Sequence, residues 1–307
     1  MTTTADGSAM HLSECDLDGR RTIGAGAWED EEASWALAGI VPGATVAGIG
    51  CCAGLVLAEL ARFVAPGGIA VGIESAAEAR VAAEDLITAE GITNALVRHG
   101  TAEATGLEAG SCDVVMARHT LIHSGGREHA IVSHLASLLR PGGALYLVET
   151  DLLAVRVVPH PGPDLGDLAD RWRHWMHELG NDLSVGARLP ELVIAAGLEL
   201  TELAADYDVI ELASKTRPPA WAARQAMVAA GAATEDDVDR WERALLLAEG
   251  QPGERFVYVP LFRVVARRRP VTRAPRPVPT LERSAPAALT TRPTLDLHPP
   301  PEEGRRR

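Results

Sequence analysis

Between residues 44 and 150 short β-branched and small apolar runs alternate with alanine-rich amphipathic stretches, and this constrains the fold more than any other feature. ATVAGIG is followed by an amphipathic stretch over 53–65, GIAVGIE by one over 76–91 and CDVVMA by one over 127–140; NALVRH and ALYLVET complete the set. Strands joined by helices of that length form βαβ units, whose right-handed crossovers give a parallel, doubly wound sheet with helices on both faces. Ahead of the first strand, WEDEEASWALAGI reads as a helix. Its acids sit in the first turn, where they suit the helix dipole, and VPG stops it.

Past Asp151 the rhythm changes. A Pro-rich connection, VVPHPGPD, leads to the helical patch LGDLADRWRHWMHELG and then to a second helix, ARLPELVIAAG. LELTELAADYDVIEL is a long strand candidate, 218–230 and 234–248 read as helices, and RFVYVPLFRVVAR as a last strand. The last two strands are expected to pair antiparallel at one sheet edge, with the helices between them standing over the site. One folded unit over 28–266 follows, with cap elements near 160–185 and 214–250. Residues 1–27 are polar and Gly-rich and read as flexible. The Arg/Pro-rich tail over 267–307 holds too few large apolar residues to pack and is expected to be disordered.

Charge narrows the partners. The net charge of −13 combines a tail carrying ten arginines against four acids with a body near −19. So acidic a body repels phosphates, so a small molecule is the expected substrate rather than nucleic acid. No membrane partner is expected either: no run of about 18 apolar residues occurs and the N-terminus lacks the pattern of a secretory signal, which points to the cytoplasm. A homodimer is compatible with the sequence. Cys15, Cys51, Cys52 and Cys112 show neither a CxxC pair nor a zinc spacing, so neither disulfides nor a metal site is expected.

In open α/β sheets ligands bind beyond the carboxyl ends of the strands, where the strand order reverses. The first strand-to-helix turn is GIGCCAG, whose Gly50 and Gly54 allow a tight bend and leave amide groups at a helix N-terminus facing a ligand. Strand two ends at Glu74, 24 residues beyond Gly50, where a carboxylate is the usual partner of a ribose diol.

These pieces, together with HGTAEATGL, CDVVMARHTLIH and RPGGALYLVETD, make the stretch over roughly 28–266 resemble the class I S-adenosylmethionine-dependent methyltransferases. GNDLSVGARLPELVIAAGLE is similar to a segment of their small-molecule, ubiquinone-methylase-like branch. The resemblance implies a Rossmann-like, seven-stranded, mostly parallel sheet with an antiparallel edge strand and helical cap insertions. It also implies S-adenosyl-L-methionine as cofactor, with methyl transfer to a small, partly apolar metabolite of the kind found in secondary metabolism. By the same resemblance Gly50, Cys51, Cys52 and Gly54 hold the methionine part, and Glu74 with Ser75 the ribose and the adenine edge. Thr101 and Ala102 lie against adenine, and Ala117 and Arg118 face the carboxylate and sulfonium. Three positions depart from the family pattern: Gly48 replaces an acid, Cys52 the central glycine and Thr101 an Asp that reaches the adenine amino group. The alternative reading is a methyltransferase-like fold with a degenerate loop, repurposed as a non-methylating enzyme or a ligand-binding protein.

Methyl transfer is an in-line displacement that needs a base only if the acceptor must lose a proton, and histidine titrates in the right range. His119 and His123 follow strand four and are the catalytic candidates, with His119 preferred. Glu149 and Asp151 end strand five and face the same crevice under the strand-end rule. The Trp172, Trp175 and Met176 stripe reads as core packing that also borders a substrate pocket.

Overall fold

The computed structural model describes residues 27–211, 217–249 and 256–270. The readings of 1–26 and of the tail beyond 270 lie outside the described residues. Helix α1 (Ala27–Ala38) leads into β1 (Thr45–Ile49), α2 (Leu55–Val64), β2 (Ile69–Glu74), α3 (Ala77–Ala89), β3 (Ala95–His99) and β4 (Cys112–Arg118). A single 3-10 turn (Leu121–His123) precedes α4 (Glu128–Leu138) and β5 (Leu139–Thr150). Then come β6 (Arg156–Val158), α5 (Pro163–Glu178), α6 (Val185–Ala195), β7 (Glu199–Glu211), three cap helices α7 (Pro219–Ala222), α8 (Arg224–Ala229) and α9 (Glu235–Glu249), and β8 (Phe256–Arg267).

β1 pairs in parallel with β2 on one side and β4 on the other, so the order β3-β2-β1-β4-β5 reverses direction between β1 and β4. That reversal opens the crevice at the carboxyl ends of these two strands. The sheet is mixed and mostly parallel, as the alternation requires, but it corrects the sequence reading in two ways. It has eight strands rather than seven, and the antiparallel strand is not the edge: β8 lies between β5 and β7 and is antiparallel to both. The extra strand is β6, three residues inside the Pro-rich connection that continue along β8 beyond the end of β5. Two of its three residues are exposed, so it carries no apolar alternation to read.

Two apolar layers enclose the sheet. On one face Trp35, Leu57, Leu60, Val64, Met116 and Tyr146 join α1 and α2 to the strands. On the other, Val115, Leu145 and Leu147 pack under α4, α6 and the cap, whose Trp172, Trp175, Met176, Met227 and Trp241 belong to the same continuous core. The aromatic stripe of α5 is therefore core packing. β5 is buried on both faces from Gly143 to Thr150, which is why ALYLV reads as an unbroken apolar run.

Helix α1 is fixed from its buried side. Glu31, 1% exposed, accepts through one carboxylate oxygen from Tyr146 Oη (2.7 Å), Arg118 Nη1 (2.5 Å) and Trp35 Nε1 (3.3 Å). Burial and the Glu31 carboxylate beside it push the Tyr146 hydroxyl well above the usual tyrosine range, so it stays a donor.

α6 approaches the end of β5 through Gly186, where an added Cβ meets Glu149 carbonyl O, the Thr150 carbonyl carbon and the Phe262 ring, each at 2.9 Å. Two of these atoms are backbone and cannot yield. Gly186→Ala is expected to lower stability by about 2 kcal/mol, a cost of overpacking read from the midpoint of chemical denaturation.

Candidate functional site

The turn after β1 is built from three residues with positive φ: Gly50 at 68°, Cys52 at 48° and Gly54 at 86°. Cys52 keeps the left-handed backbone of the glycine it replaces, so the side chain is accommodated at the cost of local strain, on the order of 1 kcal/mol. Gly50 and Cys51 both donate their amides to Ile73 carbonyl O (2.8 and 3.2 Å), which draws the turn onto β2. Gly54 sits so close to α3 that an added Cβ meets Ala83 Cβ at 2.9 Å. No side chain caps the N-terminus of α2.

Glu74 is only 1% exposed. One carboxylate oxygen accepts from the Cys52 amide (2.9 Å), and the other from the Ala76 amide (2.9 Å) and the Ser75 hydroxyl (3.4 Å). The acid thus ties the glycine turn to the start of α3. Cys51 faces down onto β2, where its sulfur fills the gap above Gly72, 2.7 Å from where a Cβ would stand. Burial first, then the charge of Glu74, pushes its thiol up to about 12, so it is a neutral packing group.

The end of β4 forms the other wall. His119 has φ 48°, a left-handed backbone held by its amide bond to Val148 carbonyl O (2.8 Å). Thr120 bridges the two walls: its hydroxyl donates toward Ile49 carbonyl O (3.3 Å) and lies 3.0 Å from where a Cβ on Gly50 would stand. Behind it, Glu149 is fully buried and accepts the amides of Thr120 (2.7 Å) and Leu121 (2.6 Å) through one oxygen; the other has no hydrogen-bond partner among the described residues. Burial outweighs these bonds and the nearby His123 and pushes the Glu149 carboxyl up to about 7.

The structure therefore brings together Gly50, Cys52, Gly54, Glu74 and Ser75 around one turn and sets His119 beside it, one residue past the end of β4. His123 closes the 3-10 turn, half-buried. Ala117 is buried in the core rather than lining the crevice, and Ala102 packs against that same core. Thr101 is exposed, its hydroxyl accepting the amide of Ala104 (3.1 Å). Arg118 points to the opposite sheet face, where Glu31 holds its guanidinium. Strand alternation sends residues 118 and 117 to opposite faces, and the apolar crevice-side layer already claims Ala117. Sequence reasoning missed Thr120 and Glu31. Thr120 gave no local signal, whereas Glu31 lies four residues before Trp35 on the buried stripe of α1, a position where an acid implies a buried partner.

Residues 47–147 match the family described as a methyltransferase domain. A curated relative, an uncharacterized 37.1 kDa protein in transposon TN4556 of Streptomyces fradiae, is 30% identical over 160 residues; the match covers 51% of this chain and 44% of the relative, so the chain spans less than half of that protein's length. The chain seen in complex with the Trm112 methyltransferase activator of Haloferax volcanii superposes with a TM-score of 0.52 at 17% identity, covering 87% of this chain and all of that one. The YcgJ protein of Bacillus subtilis gives 0.50 at 17%, covering 75% and 94%. These likenesses show the fold. Over residues 47–147 the chain is thus similar to a methyltransferase domain, the kind of domain for which the sequence analysis expects S-adenosylmethionine as cofactor.

The site fits such a cofactor at the turn: its left-handed backbone leaves a cradle that a Cβ at Gly50 would fill, next to an uncapped helix N-terminus suited to a carboxylate. At Glu74 the fit needs one adjustment. A carboxylate offers about four acceptor sites and three are taken, so accepting both hydroxyls of a ribose requires the long Ser75 bond to open.

Cys52→Gly is expected to raise stability by about 0.5 kcal/mol at most, the relief of the left-handed Cβ less the added freedom of the unfolded chain, with Cys52→Ala giving no such gain in thermal melts. Glu149 sets a pH dependence. Its folded carboxyl releases the proton near 7 and the unfolded one near 4.5, so the stability from burying the neutral acid is complete below pH 4.5 and lost as pH rises through 7. Relative to Glu149→Gln, the wild type should lose about 3 kcal/mol between pH 4.5 and 7.5, measured by denaturation at each pH.

Proposed function

We propose that this protein transfers the methyl group of S-adenosylmethionine to a small, partly apolar acceptor. The observation that carries the reading is the retention of positive φ at Gly50, Cys52 and Gly54: a cysteine is held in a glycine's conformation where a drifted loop would have relaxed. Gly50, Cys51, Cys52 and Gly54 hold the methionine part, Glu74 and Ser75 the ribose, and Thr101 and Ala102 border the adenine. When bound, the cofactor supplies an electrophilic methyl on a sulfonium sulfur. The chain's own contribution is to align the acceptor in the crevice between β1 and β4, exclude water there, and accept a proton at an imidazole nitrogen of His119, or of His123 on the following turn. The acidic body suits a small molecule better than a polynucleotide.

A second reading, a ligand-binding fold that no longer methylates, is favoured by the engagement of Glu74 with three donors of its own chain. Titration calorimetry with S-adenosylmethionine and its demethylated product separates the readings at their root. The wild type is expected to bind both, and Thr101→Asp, which restores a charged acceptor at the adenine edge, to tighten both about tenfold. Failure of the wild type to bind either compound removes the enzyme reading; binding without methyl loss to any of a panel of small acceptors favours the second.

A further inference from the structure

Among the buried titratable groups that the mechanism above leaves unused, Glu149 lies nearest the histidine candidates. Glu149 lies at the carboxyl end of β5, fully buried, under the turn that carries both histidine candidates. Its Oε1 gathers the amides of Thr120 and Leu121 at 2.7 and 2.6 Å, short enough to be charge-assisted bonds. Its Oε2 is sealed from solvent without a hydrogen-bond partner among the described residues. A carboxyl so placed is pulled both ways: the amides favour the anion, while the dry surroundings and the idle oxygen favour the acid.

What the turn does with that choice follows from Thr120. Its amide is held by Glu149, and its hydroxyl reaches Ile49 carbonyl O and Arg118 carbonyl O (3.1 Å) and stands against Gly50. One residue therefore connects the buried carboxyl to the first glycine of the cofactor turn. The residue before it is His119, whose left-handed backbone is the kind of local strain that persists only when its surroundings enforce it.

Charged and titratable groups lie on each element around Glu149, with His119 and His123 on the turn itself. His123, on the turn itself, is the one whose charge acts on the carboxyl. Arg118 of β4 and Arg263 of β8 are both in register with Val148, hence on the other face of the sheet, and are held by Glu31 and Asp206. On α6 Arg188 is paired with Asp182 and Glu191, and on α4 Glu128 takes the Ser124 hydroxyl while His134 meets Thr105 at the far side. Asp151, two residues on, accepts the Leu153 amide.

We propose that Glu149 is a positioning residue: by gaining or losing one proton it loosens or tightens the turn that carries His119 and His123, and through Thr120 it sets the shape of the glycine turn that receives the cofactor. Its effect on the two turns stands on the contacts alone; its effect on cofactor affinity rests on the reading under Proposed function.

Backbone amide NMR of the full chain between pH 5.5 and 8.5 tests it directly. In the wild type the Thr120 and Leu121 amides should move downfield along one sigmoid with a midpoint near 7, and Gly50 should follow with the same midpoint. In Glu149→Gln, which keeps an acceptor oxygen and retains His119 and His123, the shared sigmoid near 7 should vanish; His123→Gln should leave the sigmoid in place with its midpoint displaced upward, because the neighbour whose charge lowers the Glu149 carboxyl is removed. Amides that do not titrate, or that titrate equally in Glu149→Gln, overturn the proposal, and a sigmoid at Thr120 without one at Gly50 overturns the coupling. The affinity for S-adenosylhomocysteine should change about threefold across the same midpoint in the wild type and not in Glu149→Gln. If that compound fails to bind while the amides titrate as stated, the functional reading falls and the positioning role stands.

Discussion

The carboxylate of Glu74, buried at the end of β2 and bonded to the amide of Cys52, is the interaction on which the site depends. β1 and β2 are already parallel neighbours, but pairing alone does not fix the chain that leaves β1. The turn is pulled down by two amides on Ile73 and then pinned by the acid, which also takes the Ala76 amide at the entrance to α3. A buried anion costs several kcal/mol unless donors surround it, so Glu74 and the turn specify each other: moving either leaves an unsatisfied charge.

The same solution recurs. Glu31, Glu74 and Glu149 are all buried and each accepts from groups distant in sequence. Glu31 joins α1 to Arg118 of β4, 87 residues away, and to Tyr146 of β5; Glu149 joins β5 to the turn after β4, 29 residues away. Around a crevice whose walls are strand ends, where regular pairing stops, buried acids replace the missing ladder. Glu149 differs from Glu74 in having an idle oxygen, and burial pushes its carboxyl up to about 7.

Strained backbone marks the two walls of the crevice. Cys52 and His119, both at φ 48°, are the only non-glycine residues with positive φ among the described residues, and they sit on the two turns that Thr120 links. Left-handed strain at one site is a local accident; at both walls of one crevice it is a feature of the site. Trp172, Trp175 and Met176, by contrast, serve packing and pass the order of the core into the cap.

What the sequence determined by itself is what depends on local period and local geometry. The alternation of β-branched and amphipathic runs implied the mostly parallel sheet, and Gly50, Gly54 and Glu74 pointed to the ends of its first two strands, because each reports on its own backbone or strand end. Tertiary structure alone decided which way the polar groups turned. Arg118 was legible as a strand-end charge but not as the partner of Glu31, Glu74 as a strand-end acid but not as the clamp of its own turn, and β8 as a strand but not as an interior one. Those outcomes are settled by which donor lies within 3 Å of a buried oxygen after the sheet has closed, and no period or motif in a single chain carries that distance.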